Sequence, residues 1–402
     1  MDKYKRIFSY SFIAMLSSIF PFFLLPFLTH QLTMEEYGIY SYWYVIITVL
    51  SSFVLCGSIS SYTTYFSRGK SNTSGVVYYN LKFSILLTIL ILFFLVLYNL
   101  FYNIGILTII IPIFILSRSQ YLFYQHFCRV NRNIVNFTII SIPLYALVFG
   151  IPIILIKFGF IEKIATDVLY TMAIVMGGFT FILLYLDKAF VPDKKQYNNI
   201  YTEIKKFGFY SGMHVITAAL VTVSDRIILK HFLDSKLFAI YALSATLTSI
   251  LSLVMSKVSQ SMQSELYLDL DNVRHDARRE VAKNWFYKYF LFISIVTLIF
   301  VFSLEFVVEM LFPPSYLESI NYARLLSIAI FFQGLYYFSS TLAFYLRMSR
   351  EMFFISIIVG VIGVVLNTTL AINHGIDGVI ISLAITWLFY FIITTWVSVK
   401  KL

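Results

Sequence analysis

Arginine, lysine, histidine and aspartate occupy a few positions of this sequence where nearly every neighbour is apolar, and those positions define the chemistry open to it. Arg118 stands out, about fourteen residues into an apolar run. A charge placed there costs on the order of several kcal/mol unless it meets water or a partner. Gln125, Arg129 and Arg132 follow it at +7, +11 and +14, one face of a helix. Guanidinium forks grip phosphate oxygens in pairs, so such a stripe suits a diphosphate headgroup. Arg129 and Arg132 read equally well as loop charges that orient the chain.

Lys257 shares a face with Gln260, Ser261 and Ser264, either lining a cavity or snorkelling to the nearer surface. Arg324 is a further cavity candidate, whereas Lys82 and Lys288 read as interfacial anchors and Glu305 and Glu309 as solvated. Ser211, His214, Ala218, Val221 and Asp225 follow helical spacing. Asp225 is a candidate proton or sodium coupling site with His214 as relay; a structural pair with Arg226 or a helix-end cap is the alternative. Cys56 and Cys128 lie in apolar runs and read as buried thiols. The sequence carries no phosphate-cradling glycine loop, metal-spaced His/Cys cluster or nucleophile motif, so neither catalysis nor a cofactor is expected.

The elements that must position these residues are membrane helices. Of 402 residues, 59% are hydrophobic and 12% charged, about half the charge a soluble domain carries. Apolar runs of spanning length occur at 7–29, 38–66, 78–101, 104–128, 134–156, 168–186, 207–232, 237–262, 285–312, 319–346, 352–372 and 376–398. An all-α integral membrane protein of about twelve transmembrane helices is therefore expected. The opening apolar run is too long for a signal-peptide core and lacks a small-residue cleavage site, so it reads as the first span.

The basic residues orient these helices. With the N-terminus inside, 20 of the 30 Lys and Arg fall in inner segments, among them Arg68, Arg274, Arg279, Arg350 and Lys400. Four fall outside: Lys157, Lys163, Lys230 and Lys236. That bias places both termini in the cytoplasm. It also accounts for the net charge of +10 without any nucleic-acid partner. All outer loops are short, which disfavours an external catalytic domain.

A shift of 201 residues superposes the halves. Leu28, His30, Leu32, Ile39 and Tyr40 match Leu229, His231, Leu233, Ile240 and Tyr241, at the turn after the first helix of each half. Six spans per half make the repeat parallel, so two six-helix bundles around a central cavity are expected: residues 1–186, a cytoplasmic linker 187–203, and residues 204–402. Pro21, Pro26, Pro112, Pro143 and Pro152 are candidate bending points, or ordinary kinks.

The run from Pro26 to Leu32 with Glu36-Tyr37-Gly38-Ile39-Tyr40 resembles the first signature of the Wzx-type O-antigen and polysaccharide unit flippases, in the multidrug/oligosaccharidyl-lipid/polysaccharide (MOP) exporter superfamily. Asp225-Arg226-Ile227-Ile228-Leu229 followed by Ala239-Ile240-Tyr241 resembles the start of that family's second half. His30 stands where the family often has Arg, and Thr33 and Ala239 where it has Gly. The resemblance implies a MATE-like fold in a bacterial cytoplasmic (inner) membrane. It implies translocation of undecaprenyl-diphosphate-linked oligosaccharide to the external leaflet, with a polysaccharide polymerase and chain-length regulator as candidate partners. A cation-coupled multidrug exporter is the alternative within the superfamily, though the mostly basic intramembrane charges argue against it. A membrane polymerase or ligase is the alternative outside it.

Overall fold

A computed structural model describes residues 25–55, 57–59, 61–62, 73–188, 190–346 and 348–402, with isolated positions at 13, 16 and 22. Side chains at 199–200, 202–211, 215–216, 219, 264 and 349 lie outside this description. Most of the expected first span, Pro21, Cys56, Arg68 and the side chains of Ser211 and Ser264 therefore fall outside the described residues.

The helices are α1 (Met34–Val54), α2 (Thr73–Tyr102), α3 (Leu107–Val130), α4 (Ile134–Lys157), α5 (Ala165–Leu186), α6 (Lys194–Phe232), α7 (Ser235–Asp271), α8 (Arg278–Leu311), α9 (Ser319–Tyr345) and α10 (Ser349–Lys401). Each expected span from the third to the twelfth falls on one of them, the last two on the arms of α10, and the second begins on α1. Nine helices among the described residues are long and apolar enough to cross a membrane. The molecule is an all-α membrane protein.

Two places depart from the apolar pattern. The run 38–66 is not one helix: α1 ends at Val54, Gly57 takes φ 73°, and helix resumes at Ser58. Hydropathy alone does not register a turn whose residues are as apolar as the helix around it. The second place is α10, where Gly375 (φ 57°, ψ −132°) breaks the helix into arms 349–374 and 376–401. A side chain disfavours that conformation. Gly378 completes the turn, because a Cβ there would meet the Leu370 carbonyl oxygen at 2.2 Å. By contrast, α3 and α4 run through Pro112, Pro143 and Pro152 without interruption.

The repeat is visible in the backbone. Thr33 caps α1 with φ −66°, ψ 162°, its side chain accepting from the Glu36 N–H at 3.2 Å. Its counterpart Asp234 caps α7 with φ −64°, ψ 162°, accepting from Lys236 and Leu237 N–H at 2.8 Å each. Both residues satisfy helix-start donors that lipid cannot. Leu28 and Leu229, Tyr37 and Phe238, and Tyr40 and Tyr241 are buried in both copies. The third span of each half, α2 and α8, is the most exposed to its surroundings, with 17% of its apolar window buried in each case.

The chain divides into two compact units, residues 1–219 and 220–402. Inside the first, Ser58 donates to Asn80, and Asn80 to Gln120, at 2.9 Å each. Tyr124 and Asn136 both donate to Asp187 at the end of α5. Inside the second, an apolar core centred on Met255, Tyr289, Ile293 and Leu335 holds α7, α8 and α9 together. Tyr289 donates to the backbone carbonyls of both Met255 and Gly334.

Candidate functional site

In the first unit α1, α3 and α4 meet at Arg118, the twelfth residue of the 24-residue α3. Its Nη1 donates to the Tyr44 hydroxyl at 3.3 Å, and its guanidinium carbon lies 5.5 Å from the centre of that ring. Tyr44 itself stacks on Tyr40 at 5.7 Å and meets Phe114 and Phe149 edge-on. Tyr121 and Tyr145, in edge contact at 5.4 Å, bring two further phenols into the electrostatic reach of Arg118. Its Nε is buried and has no hydrogen-bond partner. Among the described residues no carboxylate pairs with it. An aromatic ring face attracts a cation, but neutral phenols leave the full positive charge in place.

The other members of the stripe have partners. Gln125 donates to Ser141 of α4 at 2.8 Å, one turn from Tyr145, so it continues the α3–α4 seam below Arg118. Arg129 is exposed at the helix end and donates to Nδ1 of His126 at 2.8 Å. Arg132 stands in the turn before α4, at φ 61°. The structure thus brings Gln125 near the Arg118 cluster and leaves Arg129 at the rim.

The second unit holds Asp225 in α6. It is 3% exposed, and Tyr241 of α7 donates to its Oδ2 at 2.5 Å. Asp225 Oδ1 and the neighbouring Arg226 Nε are buried without hydrogen-bond partners. Asn367 of α10 donates to Ser224 Oγ at 2.8 Å, while its own Oδ1 is also buried and unpartnered. Asp225 is thus tied to Tyr241 and its neighbour Ser224 to Asn367, with one oxygen of the acid and that of the amide unused.

His214 is half-buried in α6, eleven positions before Asp225, and Lys257 is half-buried in α7. Arg324 pairs with Glu305 at 2.7 Å, the two side chains 38% and 58% exposed, so its charge is matched locally. Sequence reasoning missed Tyr44, Tyr241 and Asn367. Asn367 had a signal: it is an amide in an otherwise apolar span. The tyrosines had little, being two of 30.

Residues 4–262, well over half of the chain, match the family described as polysaccharide biosynthesis protein. The chain belongs to that family. No curated protein matches this polysaccharide biosynthesis family member in sequence. Solved structures resemble it in fold. A multidrug resistance MATE family transporter of the MOP superfamily in an inward-facing conformation aligns with TM-score 0.67 at 13% identity, covering 94% of this chain and 93% of its own. An outward-facing conformation of such a transporter gives 0.65 at 14% identity, covering 100% and 98%. A MOP superfamily transporter from Pyrococcus furiosus, described by a reverse polarity of its binding pocket that suggests a different function, gives 0.61 at 13%, covering 99% and 95%. This polysaccharide biosynthesis family member therefore has the MATE-like fold.

Proposed function

We propose that the protein translocates lipid-linked oligosaccharide units, of the undecaprenyl-diphosphate type, from the cytoplasmic to the external leaflet of a bacterial inner membrane. One observation carries the reading: Arg118, half-buried at mid-helix with a buried and unused Nε, faces phenols and, among the described residues, no carboxylate. An uncompensated guanidinium in that setting persists where an anion visits it. Tyr44 holds the guanidinium plane so that its free edge can receive phosphate oxygens, and Gln125 extends the polar path along the seam. The family's place in polysaccharide biosynthesis supplies the class of cargo, and the fold supplies a framework associated with transport. A pocket of opposite polarity is also what the Pyrococcus furiosus relative is described by.

Asp225 is the proposed site for a coupling proton or sodium ion, on the strength of its unused Oδ1 and that of Asn367. The cation-coupled drug exporter remains the second reading, since that acid would serve it too. The basic character of the Arg118 site favours the lipid-linked anion.

The deciding experiment uses a strain lacking the gene, complemented with Arg118→Gln. Wild type restores surface polysaccharide. The variant inserts at equal level, leaves surface polysaccharide at background, and allows inward-facing lipid-linked oligosaccharide to accumulate. Normal surface polysaccharide from the variant overturns the assignment.

A further inference from the structure

One end of the second unit gathers the last turns of α7 and α9, the first turns of α8 and both termini of α10. Three of its acids are engaged: Tyr345 donates to Asp271 at 2.7 Å, Trp285 to Asp269 at 2.8 Å, and Lys401 pairs with Glu351 at 2.6 Å. Arg278 donates to the Leu270 carbonyl and lies over the Tyr345 ring. Two of the cations here, Arg279 and Lys400, are exposed, and neither is paired with a carboxylate among the described residues. They flank one groove of about 470 Å³, whose walls include Phe391, Ile392, Trp396 and Val399. Lys400 sits 3.5 Å from the centre of the Trp396 ring, which fixes its ammonium at the groove's edge. Glu280, next to Arg279 in sequence, is exposed and does not line the groove.

Cations over aromatic rings recur at this end: Lys283 on Tyr287, Lys288 on Trp285 and Arg350 on Phe354. Aromatic residues mixed with lysine and arginine mark the headgroup level of a bilayer. Basic pockets between helices on the cytoplasmic side are where anionic headgroups settle. An apolar wall that rises from two unpaired cations at that level matches one occupant, with a phosphodiester at one end and hydrocarbon at the other.

We propose that this groove binds an anionic glycerophospholipid of the inner leaflet. Arg279 and Lys400 clasp the phosphodiester, and an acyl chain lies against Phe391, Ile392 and Val399. The site is in the second unit and has no residue in common with the Arg118 cluster. It therefore stands whether or not the transport reading does.

The test is native mass spectrometry of the intact chain with added phosphatidylglycerol or phosphatidylcholine. Wild type retains phosphatidylglycerol preferentially, and Arg279→Gln with Lys400→Gln lowers that retention about 25-fold, roughly fivefold per cation. Phosphatidylcholine, whose choline offsets its phosphodiester charge, is retained less by wild type and loses less in the double variant. Lys283→Gln, a neutralised cation on the same helix but outside the groove, keeps wild-type retention. Undiminished phosphatidylglycerol binding by the double variant overturns the proposal, as does an equal loss in Lys283→Gln. Preferential displacement by farnesyl diphosphate also overturns it, since the groove would then receive the isoprenoid diphosphate of a carried lipid. Because the substituted side chains are exposed, folding is checked by unchanged thermal unfolding in detergent.

Discussion

At the scale of single residues, a charge inside lipid is either answered or used. Arg324 is answered by Glu305, and Arg324→Gln is expected to leave transport near wild type and to lower stability modestly, because Glu305 loses its partner. Arg118 has no such answer among the described residues. Arg118→Lys keeps the charge but loses the planar fork, so transport falls to an intermediate level, between wild type and the glutamine variant. Tyr44→Phe removes the hydroxyl that holds the guanidinium, a bond of about 1 kcal/mol, and transport at limiting substrate should drop roughly fivefold. Both are read by surface polysaccharide per inserted protein. Asp225→Asn keeps the shape beside Tyr241 while removing the charge, and transport should lose its dependence on a proton or sodium gradient; gradient-sensitive transport by the variant would rule out the coupling role. Arg118 and Asp225 were legible in the sequence because a charge amid apolar neighbours has few other reasons to be there. Tyr44 was not, since a tyrosine is compatible with many membrane environments and only packing shows which one it has, and Asn367 stood out as an amide without its partner being readable.

At the scale of elements, hydropathy located helices well and turns poorly. The α2, α4 and α5 boundaries fall within a few residues of the apolar runs. The break at Gly57 was invisible, as its flanks Leu55 and Ser58 do not change the local hydropathy enough to mark it. The prolines of α3 and α4 leave those helices continuous, and the sharp reversal lies at a glycine in α10. Gly375→Ala forces a side chain into a positive-φ conformation and should lower stability by about 1–2 kcal/mol. Gly378→Ala is expected to be worse, because its obstacle is the Leu370 backbone rather than a movable side chain. Gly150→Ala meets open space in α4 and, with better helix propensity, should be neutral or slightly stabilising. Thermal unfolding of the detergent-purified variants ranks the three.

At the scale of the whole molecule, the identities that suggested a repeat fall where local geometry is most constrained, at a helix cap. Thr33 and Asp234 differ in type yet share backbone angles to within a few degrees, so selection of residue type is looser than selection of shape. Orientation follows from charge, and cysteine labelling checks it. A cysteine at Asn272 should react with a membrane-impermeant maleimide only in permeabilised cells, while one at Glu162 reacts in intact cells. The opposite pattern would invert the topology and move the Arg279 groove to the outer leaflet. The reversal in α10 has a practical corollary for placing reporters. Because Gly378 meets Leu370 directly across it, the two arms are in contact as soon as the chain turns, with no slack between them. An epitope tag inserted at His374–Gly375 would wedge the hairpin apart, whereas the exposed stretch around Gly159–Lys163 has room to display one.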